Sequence, residues 1–514
     1  MSTTKRLISG TAASWARIGV TMLTQVALVP IFLSYWDIQT YGVYIAIQAL
    51  INVLNTLGRG YSDYLQFEFL KFGTTNRPQI ASLLWSGVSV ILILSVLELS
   101  ILYYIAFYSN IEFLFNEKSV TNPDFRNQVG WSLMLQWVTW IASNIIGLFF
   151  RALNPFGYYP RMEWWNVISS ILTSLITVVF IINGADLLGV NIAASVGSMA
   201  IMFIQFLDTN RLLKRESIQI TTASVRMGFE KYVTSITLSG RYFLENFKQQ
   251  GVRLLLSPMV GAASLAAFVT MRTGANVALQ GLSTITNPLM PELMRFLHTK
   301  DQERMQVAFD SIWLVVVAVL APAVLVIHAI APFLFTMWTK GQIVYDPYLF
   351  ATLSLSVLVY GIAQPATAIV TGNNLLKLQM GISLVSSLIV IAGIFFLVPQ
   401  ISIVGAGISL LTAEMAAAVG FRYYARKWLQ LHHMHWPNQS YGIAIRSVLI
   451  AAFGMIMMSA FPDYYLLYLA GSFVALCWNI KKYWELFSKI GVEKTLLLLS
   501  RLPVIGKYCY SKTA

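Results

Sequence analysis

The chain has 514 residues, 57% of them hydrophobic and only 11% charged, whereas soluble domains devote about a quarter of their residues to charge; a soluble globular protein is excluded. Its two cysteines, Cys477 and Cys509, supply neither a disulfide framework nor a thiolate metal site. The formal charge of +13 has to be read from its distribution. Apolar runs of about 20 residues, each long enough to cross about 30 Å of hydrocarbon as a helix, recur along almost the whole length. Continuous runs such as WSGVSVILILSVLELSILYYIAF exclude a transmembrane barrel, whose segments alternate over about ten residues.

In chain order the runs predict fourteen crossings: Ala13–Leu33, Tyr41–Leu57, Ile80–Tyr108, Val129–Phe150, Trp164–Ile182, Val190–Leu207, Phe243–Met259, Ala262–Met290, Phe309–Ile330, Tyr348–Val370, Leu378–Val398, Ile403–Tyr423, Ile443–Ala460 and Tyr464–Ile480. The fold class is all-α and polytopic. Lys5 and Arg6 precede the first run, but it continues to Leu33 and reads as an uncleaved helix rather than a secretory signal. With the N-terminus in the cytoplasm, one side collects most connecting Lys and Arg residues and the basic tail from Lys481 onward. The other receives only Lys118, Arg126 and Lys340. That asymmetry places both termini in the cytoplasm and accounts for most of the net charge without nucleic acid. The longest cytoplasmic connection follows the sixth crossing, which divides the chain into 1–210, a basic amphipathic linker at 211–240, a second six-helix half at 241–430, and two further helices with a basic tail at 431–514.

Leu238 to Leu256 reads LSGRYFLENFKQQGVRLLL. A charge facing lipid at mid-bilayer costs about 2.5–3.5 kcal/mol on insertion scales, so charged side chains in a span face a wet cavity or a partner. Arg241, Glu245 and Lys248 follow i, i+4, i+7 spacing on one helix face, while at 100° per residue Arg253 stands roughly 120° away from Arg241. The competing reading is an interfacial amphipathic helix from Glu230 to Lys248, with the span starting near Gln250. Arg17, Arg59 with Asp63, and Arg272 fall in other crossings; for Arg59 and Asp63, spaced i, i+4, a structural pair is an equal alternative. This set suits an anionic ligand, because Arg offers a planar fork of donors to phosphate oxygens and Lys a point charge. Glu245 is the first candidate for a coupling carboxylate, with a structural salt bridge as its alternative; Glu98, Asp310 and Glu414 follow. Trp131, Trp137, Trp140, Trp164, Trp165 and Tyr242 offer flat faces to sugars, but such residues also populate interfacial belts, and no sugar site is assigned from them. His432, His433 and His435 lack a complete ligand pattern, and the chain has no Walker loop, dinucleotide fingerprint or H-E-x-x-H motif. No catalytic residue, metal site or cofactor is assigned.

VPIFLSYWDIQTYGVYIAIQALINVL, with a proline-containing helix meeting a turn that ends in Tyr-Gly-x-Tyr, resembles the opening hairpin of the polysaccharide transporters of the multidrug/oligosaccharidyl-lipid/polysaccharide exporter superfamily. GVRLLLSPMVGAASLAAF followed by NPLMPELMRF is similar to that family's helix 7 to helix 8 segment. The second segment departs in having Ala266 where Gly is commoner and Gly251-Val252 ahead of Arg253. The resemblance implies two pseudo-symmetric six-helix bundles around a central cavity, here with two C-terminal helices added. It also implies alternating access in a bacterial inner membrane. The implied activity is outward movement of an undecaprenyl-diphosphate-linked glycan for O-antigen, capsule or exopolysaccharide synthesis, with Arg17, Arg59, Arg241, Lys248, Arg253 and Arg272 holding substrate. Glu245 would couple the cycle to H+ or Na+, and the partners would be membrane lipids, a polysaccharide polymerase and chain-length machinery. Lipid II translocation and small-molecule export are the runner-up readings; an enzyme joining lipid-linked glycans would commonly carry a larger external loop than Ser109 to Gln128.

Overall fold

The protein is described by a computed structural model covering residues 3–108, 122–373 and 375–487. Fourteen α-helices and no strands occur among these residues: α1 Thr3–Tyr35, α2 Ile38–Phe72, α3 Arg77–Tyr108, α4 Pro123–Ala152, α5 Tyr159–Ile182, α6 Leu187–Arg215, α7 Val225–Asn246, α8 Val252–His298, α9 Gln302–Val315, α10 Ala321–Trp338, α11 Pro347–Gly372, α12 Leu376–Leu431, α13 Asn438–Ala460 and α14 Tyr465–Leu486. Among the described residues, eleven helical stretches are long and apolar enough to cross a membrane by length and composition.

Local chemistry sets the helix starts. Asp37, Asp186 and Asp346 accept hydrogen bonds from backbone N–H groups of the first turns of α2, α6 and α11, satisfying donors that have no partner within the helix. Asn122 does the same for α4, where Pro123 occupies the first turn, a position that needs no N–H. Two long helices are interrupted. α8 breaks at Gly261, whose φ of 79° is a conformation that only glycine adopts without strain. α12 breaks at Ile401 and Ser402, just after Pro399. The two arms of each broken helix supply adjacent predicted crossings, and α9 and α10 join through a π turn at Val316–Leu320 into one.

The segment 211–240 is divided between the last turns of α6, a short connection and the start of α7. A second π turn, Phe247–Gly251, carries α7 into α8, so the helix runs without a break from Val225 to Gly261. There is no separate interfacial helix ending at Lys248.

The chain forms two compact units: Met1–Thr273 with Thr336–Val344 and Ile391–Ala406, and Gly274–Phe335 with Tyr345–Val390 and Gly407–Ala514. In the first, α1 packs on α5, α4 on α6, and both α2 and α3 on α4 and α7, around a core that includes Tyr61, Leu65, Phe69, Leu84 and Leu148. Helices in lipid gain little from hydrophobic burial against one another and associate where small residues let backbones approach. Gly60 meets Ser239 in this way, and Gly228 meets the carbonyl of Ser86. Tyr61 donates its hydroxyl to the Gly228 carbonyl at 3.0 Å. In the second unit α13 packs on α14 and α11, and α9 on α11. Its centre is the fully buried Trp313, whose indole donates to the Ile362 carbonyl at 3.0 Å among Phe309, Trp436 and Tyr441.

Candidate functional site

All six cationic candidates from the sequence, and Glu245, belong to the first unit. Arg17 on α1 places its Nε 3.4 Å from Oε2 of Glu163 on α5, a carboxylate that is 5% exposed. Arg59 lies 3.9 Å from Asp63, but Asp63 has a closer partner. Arg151 of α4 donates to its Oδ1 through Nε at 3.1 Å and Nη2 at 2.7 Å. Arg272 holds its guanidinium 5.9 Å from the centre of the Phe268 ring, within cation–π range. The side chains of Arg241, Glu245 and Lys248 lie outside the described residues. Among the weaker coupling candidates, Asp310 is 1% exposed and its backbone carbonyl accepts from the Tyr483 hydroxyl at 2.8 Å. His432 stacks on Trp428, with ring centroids 3.8 Å apart.

Among the described residues, Arg253 makes no ion pair with a carboxylate. Its charge interacts with the Tyr41 hydroxyl, and its Nε is buried with no hydrogen-bond partner among the described residues. The Gln250 and Ser257 oxygens, one turn to either side on the same helix, are also buried with no hydrogen-bond partner among the described residues, while the Thr270 hydroxyl hydrogen-bonds Tyr41. A cluster of unsatisfied polar atoms around an arginine is where a ligand oxygen or water gains most. The uniform 100° step had placed position 253 on a different face from 241. The π turn at Phe247–Gly251 lies between them and takes up about one extra residue, or about 100° of rotation. Position 253 therefore returns close to the face that carries 241.

The first unit also contains a cavity of ≈ 330 Å³ that the charged residues did not signal. Tyr44 and Gln48 of α2 form one wall, and Gln136, Thr139, Trp140 and Ser143 of α4 another. Thr173, Ser174 and Thr177 of α5 and Asn191, Ser195 and Ser198 of α6 close it. None of the described lining residues is charged. The Gln136 amide donates to the Asn191 side chain, which in turn donates to the Leu187 carbonyl at 2.8 Å. Tyr44 hydrogen-bonds Gln48 on the cavity side of α2. Of the aromatic candidates named from the sequence, Trp140 lines the cavity. The other residues were missed, although their signal is present: uncharged polar side chains recur at i, i+3, i+4 and i+7 within apolar runs, which sets each group on one helix face.

No family model matches the chain, and no curated protein matches it. Solved structures do. The lipid II flippase MurJ, in an inward closed conformation, superposes with a TM-score of 0.65 at 12% identity, over 95% of this chain and 100% of that one. An inward-facing multidrug resistance MATE family transporter of the MOP superfamily gives 0.62 at 12% identity, over 80% of this chain and 97% of that one. The MATE transporter VcmN of Vibrio cholerae, in a mutant form, gives 0.56 at 15% identity, over 83% and 98%. At these identities the likeness is one of fold: the chain has the all-helical architecture of these transporters.

Proposed function

We propose that the protein is a flippase that moves undecaprenyl-diphosphate-linked oligosaccharide repeat units from the cytoplasmic to the periplasmic leaflet of a bacterial inner membrane by alternating access, for O-antigen, capsule or exopolysaccharide synthesis. The observation that carries this reading is the extent of the fold likeness. A structure named as a lipid flippase accounts for 95% of the chain, whereas the two MATE structures leave a larger share unmatched at 80% and 83%. The charge of the polar groups supports it. Arg253, whose Nε is buried with no hydrogen-bond partner among the described residues, suits a diphosphate, whose compact negative charge an arginine fork matches, while a drug cation calls for an acidic pocket. Arg17, Arg59, Arg241, Lys248 and Arg272 extend the cationic set, Glu245 is the coupling group for H+ or Na+, and both termini face the cytoplasm. Polymerase and chain-length machinery would take the product. The chain acts as a transporter and not as an enzyme.

The test is outward movement of diphosphate-linked oligosaccharide lipids in proteoliposomes. Movement of repeat-unit lipids and not of lipid II supports the proposal. Movement of lipid II alone moves the protein to cell-wall synthesis, and movement of neither overturns the flippase reading.

A further inference from the structure

The cavity of the first unit is a built site with no role in the diphosphate recognition just described. Its volume of ≈ 330 Å³ falls at the lower end of small-molecule sites, which span about 300–1,000 Å³. That is room for one or two sugar rings. The chemistry of its wall is selective. Three hydroxyls commit their protons to their own helices: Thr139 to the Leu135 carbonyl at 2.8 Å, Ser174 to the Ser170 carbonyl at 2.7 Å, with the Thr24 hydroxyl 3.4 Å from it, and Thr177 to the Thr173 carbonyl at 2.9 Å. Each is left as an acceptor, since a hydroxyl carries one donor and two lone pairs. Gln48, Gln136 and Asn191 bring amides, which both donate and accept, and Trp140 brings a flat apolar face.

A ligand matched to this wall carries many hydroxyl donors, acceptors for the amides and an apolar face, and it carries no charge. A phosphate or carboxylate in the cavity would be desolvated with no cation among the described lining residues, and an ammonium with no carboxylate. Hard metal cations are bound mainly through charged carboxylates, and no carboxylate occurs among the described lining residues. An uncharged pyranose meets every requirement.

We infer that this cavity is a sugar subsite that takes one uncharged ring of the lipid-linked headgroup, with the diphosphate held outside it. The inference rests on the flippase reading and adds a selection rule to it: the ring seated here is a neutral hexose or N-acetylhexosamine and not a uronic acid.

The experiment measures equilibrium binding, in nanodiscs, of four radiolabelled polyprenyl diphosphates: bare, and bearing a hexose, an N-acetylhexosamine or a hexuronic acid. It uses the full native chain and Gln48→Leu and Trp140→Leu, each first shown to keep native thermal unfolding. In the native chain at least one neutral sugar should bind about tenfold tighter than the bare lipid, and the uronic acid should show no such gain, since one or two buried hydrogen bonds are worth about this factor. In both variants the ratio of sugar-bearing to bare affinity should fall towards one. A native chain that binds all four lipids equally, or variants that keep the native ratio, overturns the subsite while leaving the flippase reading intact. A native chain that binds none of the four overturns both.

Discussion

Gly42 of α2 lies against the backbone of Ala262 at the break of α8: a Cβ added to Gly42 would stand 2.1 Å from the Ala262 carbonyl oxygen and 2.5 Å from its carbon. The Tyr-Gly-x-Tyr turn thus packs on the helix 7 to helix 8 turn, the two segments singled out in the sequence. Backbone offers no rotamer by which to yield. Gly42→Ala is therefore expected to lower stability by about 1–3 kcal/mol or more. Gly19→Ala, with nothing within 4 Å of its added methyl, should be neutral or slightly stabilising. Thermal unfolding of the two variants in detergent checks this, and equal midpoints would remove the proposed clash.

The Asp63–Arg151 pair is a partly buried tie between α2 and α4, each side chain 19% exposed. Removing one member leaves the other charged without compensation, so Asp63→Asn should cost about 1–3 kcal/mol. Arg59→Ala should cost well under 1 kcal/mol, because its side chain is 69% exposed and its contact long. A double-mutant cycle over Asp63 and Arg151 reads the coupling directly; a coupling no larger than that of Asp63 with Arg59 would contradict the assignment.

Asn246 fastens α7 to α2 through its Nδ2, which donates to the Asn52 carbonyl at 3.0 Å and the Thr56 hydroxyl at 2.6 Å. Hydrogen bonds between membrane helices contribute about 0.6 kcal/mol on average and up to about 1.7. Asn246→Leu is expected to destabilise within that range, and the effects of Asn246→Leu and Thr56→Val should be less than additive because both remove one bond. Strict additivity in unfolding midpoints would show that the two side chains do not share it.

Arg253 gives the sharpest functional prediction. Arg253→Ala should slow outward movement of a diphosphate-linked lipid by at least about tenfold, with Arg253→Lys intermediate, since lysine keeps the charge and loses the fork. Arg17→Ala, which loses a contact to a protein carboxylate, should reduce transport less. Proteoliposome rates normalised to inserted protein decide the order, and an Arg253→Ala variant with native rates would remove this residue from the substrate path.

Much of the fold was legible in the chain. Each crossing must be apolar over a fixed length and must satisfy its own backbone hydrogen bonds, so hydropathy identified the all-helical class and located the turn at Gly261, while helix ends differ: α2 runs on to Phe72 and α7 starts at Val225. The π turn at Phe247–Gly251 was not legible, because the 100° step applies only to a regular α-helix. One inserted residue was enough to move Arg253 from one face to another. The candidate charges were named from the chain, and the neutral groups of the cavity were not. A lone Gln or Thr in an apolar run carries little cost and little signal, and only the convergence of α2, α4, α5 and α6 turns Gln48, Gln136, Thr177 and Asn191 into one wall.

The sequence by itself determined the all-helical class, the apolar stretches long enough to cross and the cationic residues that fall in them, because these follow from hydrocarbon thickness acting on each segment alone. Tertiary structure decided the pairings. Asp63 takes Arg151, 88 positions away, over Arg59 one turn along the same helix; Arg17 takes Glu163; and Arg253 meets no carboxylate among the described residues. Helical spacing fixes which residues share a face, but which face meets which depends on packing between segments distant in the chain, and that geometry is not encoded in any single run.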